Sequence, residues 1–190
     1  MNRAEFLRSS ARAVACTACA ATILRPAQLL GADEAPPVTP VDVALKRAQA
    51  ELDFTGNWLA DLFATIEAEL DRPTQVKLLE GCGRGCFRRH GFKQDIARAG
   101  AGDLDKLLAA YRKNYRVQRE GEVVHLYYGD HCYCPAAQHR PPRPNDLQCE
   151  CTKATHQAIF ETALGRKFRA DVAESIRRGG KTCHIRIYLT

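Results

Sequence analysis

From Val41 onward apolar residues recur at helical intervals, at Leu45, Ala48, Leu52, Leu59, Leu62, Phe63, Ile66 and Leu70. Gly56 interrupts this pattern and predicts a break between helices over 41–54 and 58–70. Pro73 sits where a helix tolerates proline, just inside a start near Asp71 or Arg72, and Val76, Leu79, Cys86 and His90 then fall on one stripe. A shorter helix is predicted over 103–114, with Asp103 as its N-cap and Leu104, Leu107, Leu108 and Tyr111 turned inward. After Tyr115 the period drops to two: 117–119 and 122–128 read as strands joined at Gly121. A helix over 152–164 closed by Gly165 follows. The last elements are strands over 168–176 and 182–189 around Gly179-Gly180, with Cys183, Ile185, Ile187 and Leu189 on one face. The expected fold class is α+β: N-terminal helices packed on an antiparallel sheet of about four strands, with one crossing helix.

Composition places this pattern in an ordinary globular chain. The 190 residues are 45% hydrophobic and 26% charged, enough to bury a core without covalent staples. No run approaches the roughly 18 apolar residues of a membrane span, so no stable membrane insertion is expected. The formal charge is +6, but four arginines against Glu5 in the first 32 residues leave +3 for the remainder, which gives no reason to expect nucleic acid.

Nine cysteines change the picture. Cys132-Tyr133-Cys134 and Cys149-Glu150-Cys151 flank a loop stiffened by Pro141, Pro142 and Pro144. In an extended segment residues two apart share a face, so two such pairs can aim four thiolates at one point. That arrangement suits zinc or an iron–sulfur cluster, and the metal expected is a structural zinc held by Cys132, Cys134, Cys149 and Cys151. Two disulfides, or thiols simply packed in the core, are the alternatives. Gly81-Cys82-Gly83-Arg84-Gly85-Cys86, extended by His90, is a possible second metal or redox site. Its members recur every four residues on one helix face, but Cys82 and His90 lie about 12 Å apart along the axis, too far to share an ion. Three glycines in a helix cost roughly 1 kcal/mol each relative to alanine, which predicts close approach of another element or a cofactor. With Cys16 and Cys19 set aside in the leader, seven cysteines remain, so pairing within one chain is never complete. Cys183 is the natural odd one, packed beside Ile185 and Ile187.

Residues 1–32 read as an export signal, with a basic start, a short apolar stretch and Leu30-Gly31-Ala32 before Asp33. Arg3-Ala4-Glu5-Phe6-Leu7-Arg8 resembles the twin-arginine export motif, with Ala4 where the second arginine belongs. A proline-rich linker over 33–40 leads into a single cysteine-rich domain over 41–190. The expected location is therefore the periplasm or outside the cell.

Sequence motifs for serine hydrolases, zinc proteases, phosphate-binding loops and calcium loops are missing. A nucleophilic pair remains open to assembly from Cys86 or Cys132 with His90, His125, His131, His139 or His156. His125, Tyr128 and His131 are the candidate pocket residues. Glu174-Ser175-Ile176, Gly179-Gly180 and Cys183-His184-Ile185-Arg186-Ile187 resemble the terminal hairpin of the 4-vinyl-reductase domain superfamily. Relatives within it include the L-2-amino-thiazoline-4-carboxylate hydrolase-like proteins and the TRAPP transport subunits. The resemblance implies a small-molecule-binding α+β domain, with a cysteine-ligated zinc near the pocket in some members. The leading expectation is thus an exported, zinc-stabilised domain that binds a small molecule. The alternatives are a hydrolase of thiazoline or cyclic-amide substrates with a cysteine nucleophile among Cys82, Cys86 and Cys132, and an iron–sulfur redox protein.

Overall fold

The computed structural model describes residues 39–132, 134, 137 and 139–190; the expected export signal and most of the expected linker lie outside the described residues. Five helices and four strands follow in the order α1 (Pro40–Glu69), α2 (Arg72–Arg89), α3 (Gly91–Ala99), α4 (Leu104–Arg112), β1 (Arg116–Glu120), β2 (Val123–Tyr127), α5 (Gln148–Leu164), β3 (Arg169–Glu174) and β4 (His184–Tyr188). Residues Pro40–Thr190 form one compact unit.

The sheet is antiparallel throughout, in the order β1-β2-β4-β3. Two sequence-adjacent hairpins are joined edge to edge through β2 and β4, with Val124 opposite Ile187 and Leu126 opposite Ile185. Alternation turns these four residues toward the helices, where all are buried. There they meet Leu107, Leu108, Tyr111, Ile159 and Phe160 in a single core. The fold class is the α+β arrangement expected, with α5 as the crossing helix.

Local signals account for most element ends. Asp71 Oδ1 accepts from the Thr74 N–H at 3.0 Å and caps α2, and Asp103 Oδ1 does the same for α4 through the Lys106 N–H at 3.1 Å. Gly165 takes a left-handed conformation, φ 68°, to end α5. In the last hairpin Gly179 supplies φ 89°, and Glu174 Oε1 accepts from the N–H groups of Lys181 and Thr182 across the turn.

One expectation about the helices fails, and one helix was not foreseen. Gly56 does not break a helix: α1 runs through it for 30 residues. The residue is buried because the His139 ring lies against it, and a Cβ at this position would fall 2.1 Å from the ring Cδ2. The glycine therefore serves a close approach, and a single buried contact offsets its low helix propensity. Secondly, 91–99 forms a helix of its own, α3, whose Ile96 and Ala97 reach the core. Gly83 fulfils the expectation of close approach within α2: a Cβ there would meet the Cys151 carbonyl oxygen at 2.1 Å, so only glycine lets α2 and α5 cross so tightly.

Candidate active site

The end of α2, the start of α3, the ends of β1 and β2, and the first turns of α5 converge on a cavity of about 350 Å³. Cys86, His90, Lys93, Tyr128, Cys151 and Cys183 are among its lining residues, together with Cys132 and Cys134 from the loop after β2. A second depression, about 550 Å³, shares Phe92, Tyr115 and Tyr128 with the first, so the two form one aromatic-walled groove.

Cys86 is the best-furnished nucleophile in the groove. It sits in the last turn of α2, half-buried. Lys93 Nζ donates to Cys86 Sγ at 2.9 Å, and His90 Nδ1 lies 3.5 Å from the same sulfur. His90 Nδ1 is also 2.7 Å from the Cys86 carbonyl oxygen. A carbonyl only accepts, so Nδ1 carries the ring proton and Nε2 is left as the basic nitrogen. The i, i+4 spacing of Cys86 and His90 survives although His90 ends α2 and leads into α3. Lys93 joins them from one turn further on, across that helix boundary.

Behind the groove lies a buried tyrosine–histidine chain. His156 on α5 takes a hydrogen bond with Tyr111 Oη at 3.1 Å through Nδ1 and one with Tyr128 Oη through Nε2. Its burial pushes its pKa down to about 3, helped by the Lys93 charge, so it is neutral in the folded protein. Tyr111 and Tyr128 are pushed well above the usual tyrosine range, chiefly by burial, and Tyr115 is raised for the same main reason. All three hydroxyls stay protonated. Neutral imidazole offers one donor and one acceptor, which matches two tyrosines. Because the unfolded chain protonates this histidine near pH 6.5 and the folded chain resists until about 3, stability is full above 6.5 and declines as pH falls between those values. The expected slope approaches about 1.4 kcal/mol per pH unit. Urea midpoints at neutral pH and near pH 5 test this; His156→Gln, which does not titrate, should flatten the difference.

The four paired cysteines do not form one centre. Cys149 and Cys151 belong to the first turn of α5 rather than to an extended segment. On a helix, residues two apart diverge by about 200° around the axis instead of sharing a face. Cys149 turns into the protein, where its sulfur lies 2.8 Å from Ser175 Oγ, whereas Cys151 faces the groove. Among the described residues no group of three or more histidine, cysteine or acidic side chains is placed to hold a metal ion. This overturns the expected zinc at Cys132, Cys134, Cys149 and Cys151, and with it the zinc-stabilised domain and the iron–sulfur alternative. Among the described residues none of the cysteines from Cys82 to Cys183 is in a disulfide, so the disulfide alternative is not what the structure contains.

The other expected site residues divide. Tyr128 and His131 line the groove, His131 with Nδ1 at 2.9 Å from Asp130 Oδ1. His125 does not: it lies on the other face of the sheet, with Nδ1 2.9 Å from His184 Nε2. Cys82 is exposed on α2 and does not line the groove. Cys183 precedes β4 and opens to the groove, so it is not the core residue expected from strand alternation. Lys93, Phe92, Tyr115 and Thr155 were missed. For Lys93 the available signal was the i, i+4 pair Phe92 and Ile96 between Gly91 and Gly100, which marks a short helix bringing position 93 back toward Cys86.

Burial pushes the Cys149 thiol up to about 11, and burial together with the neighbouring Cys134, Cys86 and Cys82 sulfurs pushes Cys151 up to about 12. Both are protonated at neutral pH and poor nucleophiles. The buried Cys149–Ser175 contact is compatible with a hydrolase-type site without establishing one, and Cys149 does not line the groove.

No family model matches the chain, and comparison with curated proteins gives no match. Among the described residues no helix is long and apolar enough to cross a membrane.

Proposed function

We propose that the protein is a small-molecule hydrolase with Cys86 as its nucleophile, acting on a cyclic amide-like or thiazoline C–N or C–S bond. The observation that carries this reading is the hydrogen bond from Lys93 Nζ to Cys86 Sγ at the mouth of a groove with His90 beside it. Lys93 supplies the compensating positive charge when the sulfur ionises. The thiolate adds to the electrophilic carbon, and the ring nitrogen or sulfur leaves as its bond to that carbon breaks, taking a proton from Lys93. Water then loses a proton to His90 Nε2 and adds to the carbon bonded to Cys86 Sγ. The Cys86 thiolate departs, and the proton on His90 returns to Lys93. The protonated Tyr115 hydroxyl is a donor available to oxygen or nitrogen that gains charge in the groove. The groove volume fits a small ligand. The resemblance of the terminal hairpin to the thiazoline hydrolase-like proteins points to the same substrate class, and the leader implies that the reaction occurs outside the cytoplasm.

Acylation by a p-nitrophenyl ester followed by peptide mapping tests the assignment. The acyl group should be found on Cys86, with Cys149 and Cys151 unmodified. Acylation confined to the exposed Cys82, or of no cysteine, would overturn it.

A further inference from the structure

We propose that Tyr111, His156 and Tyr128 form a one-way hydrogen-bond chain that ends on Tyr115 and positions its hydroxyl as a donor in the groove. The donor's task, to meet the substrate atom that gains charge as Cys86 adds, rests on the hydrolase reading. The direction of the chain does not.

That direction follows from counting protons. Tyr111 and His156 are both buried. Among the described residues the one side-chain hydrogen bond of Tyr111 is that with His156 Nδ1, at 3.1 Å. Were Nδ1 protonated, it would donate to Tyr111 Oη, and the tyrosine's own proton would be left in the core without an acceptor. With Nδ1 bare, Tyr111 donates to it. The single ring proton then sits on Nε2, where it donates to Tyr128 Oη. Every proton as far as Tyr128 has an acceptor, and the O–H of Tyr128 itself is free to turn outward. Tyr128 lines the groove beside Tyr115, the two rings meeting edge to face at 5.3 Å. Their hydroxyls act on each other's ionisation as hydrogen-bonding neighbours. Tyr128 therefore donates to Tyr115 Oη, and the Tyr115 proton is the one left for the groove. Tyr115 and Cys86 line the same cavity, so this proton is presented on the nucleophile's side. Because His156 stays neutral, the chain supplies orientation and polarisation rather than charge.

Long-range proton–nitrogen correlation spectra of the full-length, nitrogen-15-labelled protein read the tautomer, with the His156 signals identified by their loss in His156→Gln. Nε2 should carry the proton and Nδ1 should not. A proton on Nδ1 overturns the proposal, whatever the protein hydrolyses. Turnover of a p-nitrophenyl ester tests the other end of the chain. Tyr115→Phe should lower kcat at least about tenfold with KM nearly unchanged. Tyr111→Phe keeps the ring and removes the first proton; it should lower kcat several-fold, but have no further effect in a Tyr115→Phe background. An equal loss in both backgrounds would mean a structural tyrosine and overturn the positioning role, as would full activity in Tyr115→Phe. If Cys86 of the wild type takes no acyl group, the hydrolase reading falls and the donor's task falls with it, while the tautomer still decides the direction of the chain.

Discussion

Cys86→Ser is expected to lower kcat/KM for a p-nitrophenyl ester by at least about a thousandfold, roughly 4 kcal/mol of transition-state stabilisation, while leaving the denaturant midpoint nearly unchanged. A serine hydroxyl fits the half-buried position of the sulfur, so packing is preserved. What is lost is ionisation. A hydroxyl needs a base to become a nucleophile, and the nearest candidate cannot act: His90 Nδ1 is committed as a donor to the Cys86 carbonyl oxygen. Lys93 is a donor to the sulfur and so presents a proton to it rather than a lone pair. A thiol escapes this requirement because the ammonium alone compensates its charge. Lys93→Met should therefore fall between wild type and Cys86→Ser, with the loss in kcat rather than KM. Cys149→Ser gives the opposite pattern, a stability change with turnover kept, because its contact with Ser175 is internal to the fold. Full activity in Cys86→Ser together with its loss in Cys132→Ser would move the nucleophile to the opposite wall of the groove.

Legibility in the sequence tracked the range of the interactions involved. Periodicity found α2, α4 and both hairpins because each is decided by residues within a few positions, as with the Asp71 and Asp103 caps. Gly56 was misread because its role depends on His139, more than eighty positions away in the chain. The metal expectation turned on a phase. A helix starting at 152 leaves Cys149 and Cys151 extended and parallel, whereas the observed start at Gln148 splits them onto different faces. Four residues of uncertainty at a helix end, small for a fold, were decisive for the chemistry. Within the groove, Cys86 and His90 were visible as an i, i+4 pair, but Lys93 lies beyond a helix boundary marked only by Gly91 and the short Phe92 and Ile96 pair. Tyr115, Thr155 and Cys183 reach the groove only through the sheet and α5, so their proximity to Cys86 is a property of the tertiary fold.

The largest stability effect is expected at Asp146, which belongs to none of the cysteine motifs. Asp146 is fully buried and accepts from Arg140 Nη2 at 2.8 Å, Arg177 Nε at 2.9 Å and the Gln148 N–H at 2.9 Å. Arg177, itself buried, spends its remaining donors on the carbonyls of Ala137, Arg140 and Pro141. One carboxylate thus neutralises the guanidinium that ties the proline-rich loop to the turn after β3. Asp146→Ala would leave the buried Arg177 without its counter-charge and Arg140 with Glu67 alone, and the penalty for breaking such a pair from one side is about 3–5 kcal/mol. Arg143 provides the contrast within the same loop. It also pairs with Glu67, but its side chain is 42% exposed, so Arg143→Ala should cost no more than about 1 kcal/mol. Urea midpoints of the two variants separate these cases. Near-equal losses would show that the loop is held by its stiffness and apolar contacts rather than by the buried charges. The consequence reaches the site, because this loop carries Cys132 and Cys134 to the groove and Gln148 Nε2 donates to Cys134 Sγ at 3.1 Å. An Asp146 variant still folded at low temperature should then acylate at Cys86 as before while exposing Cys134 to small alkylating reagents, since α2 meets this loop through Arg72 and Leu79, which lie helical turns away from Cys86, and the Cys86–Lys93 hydrogen bond involves none of the clamp residues.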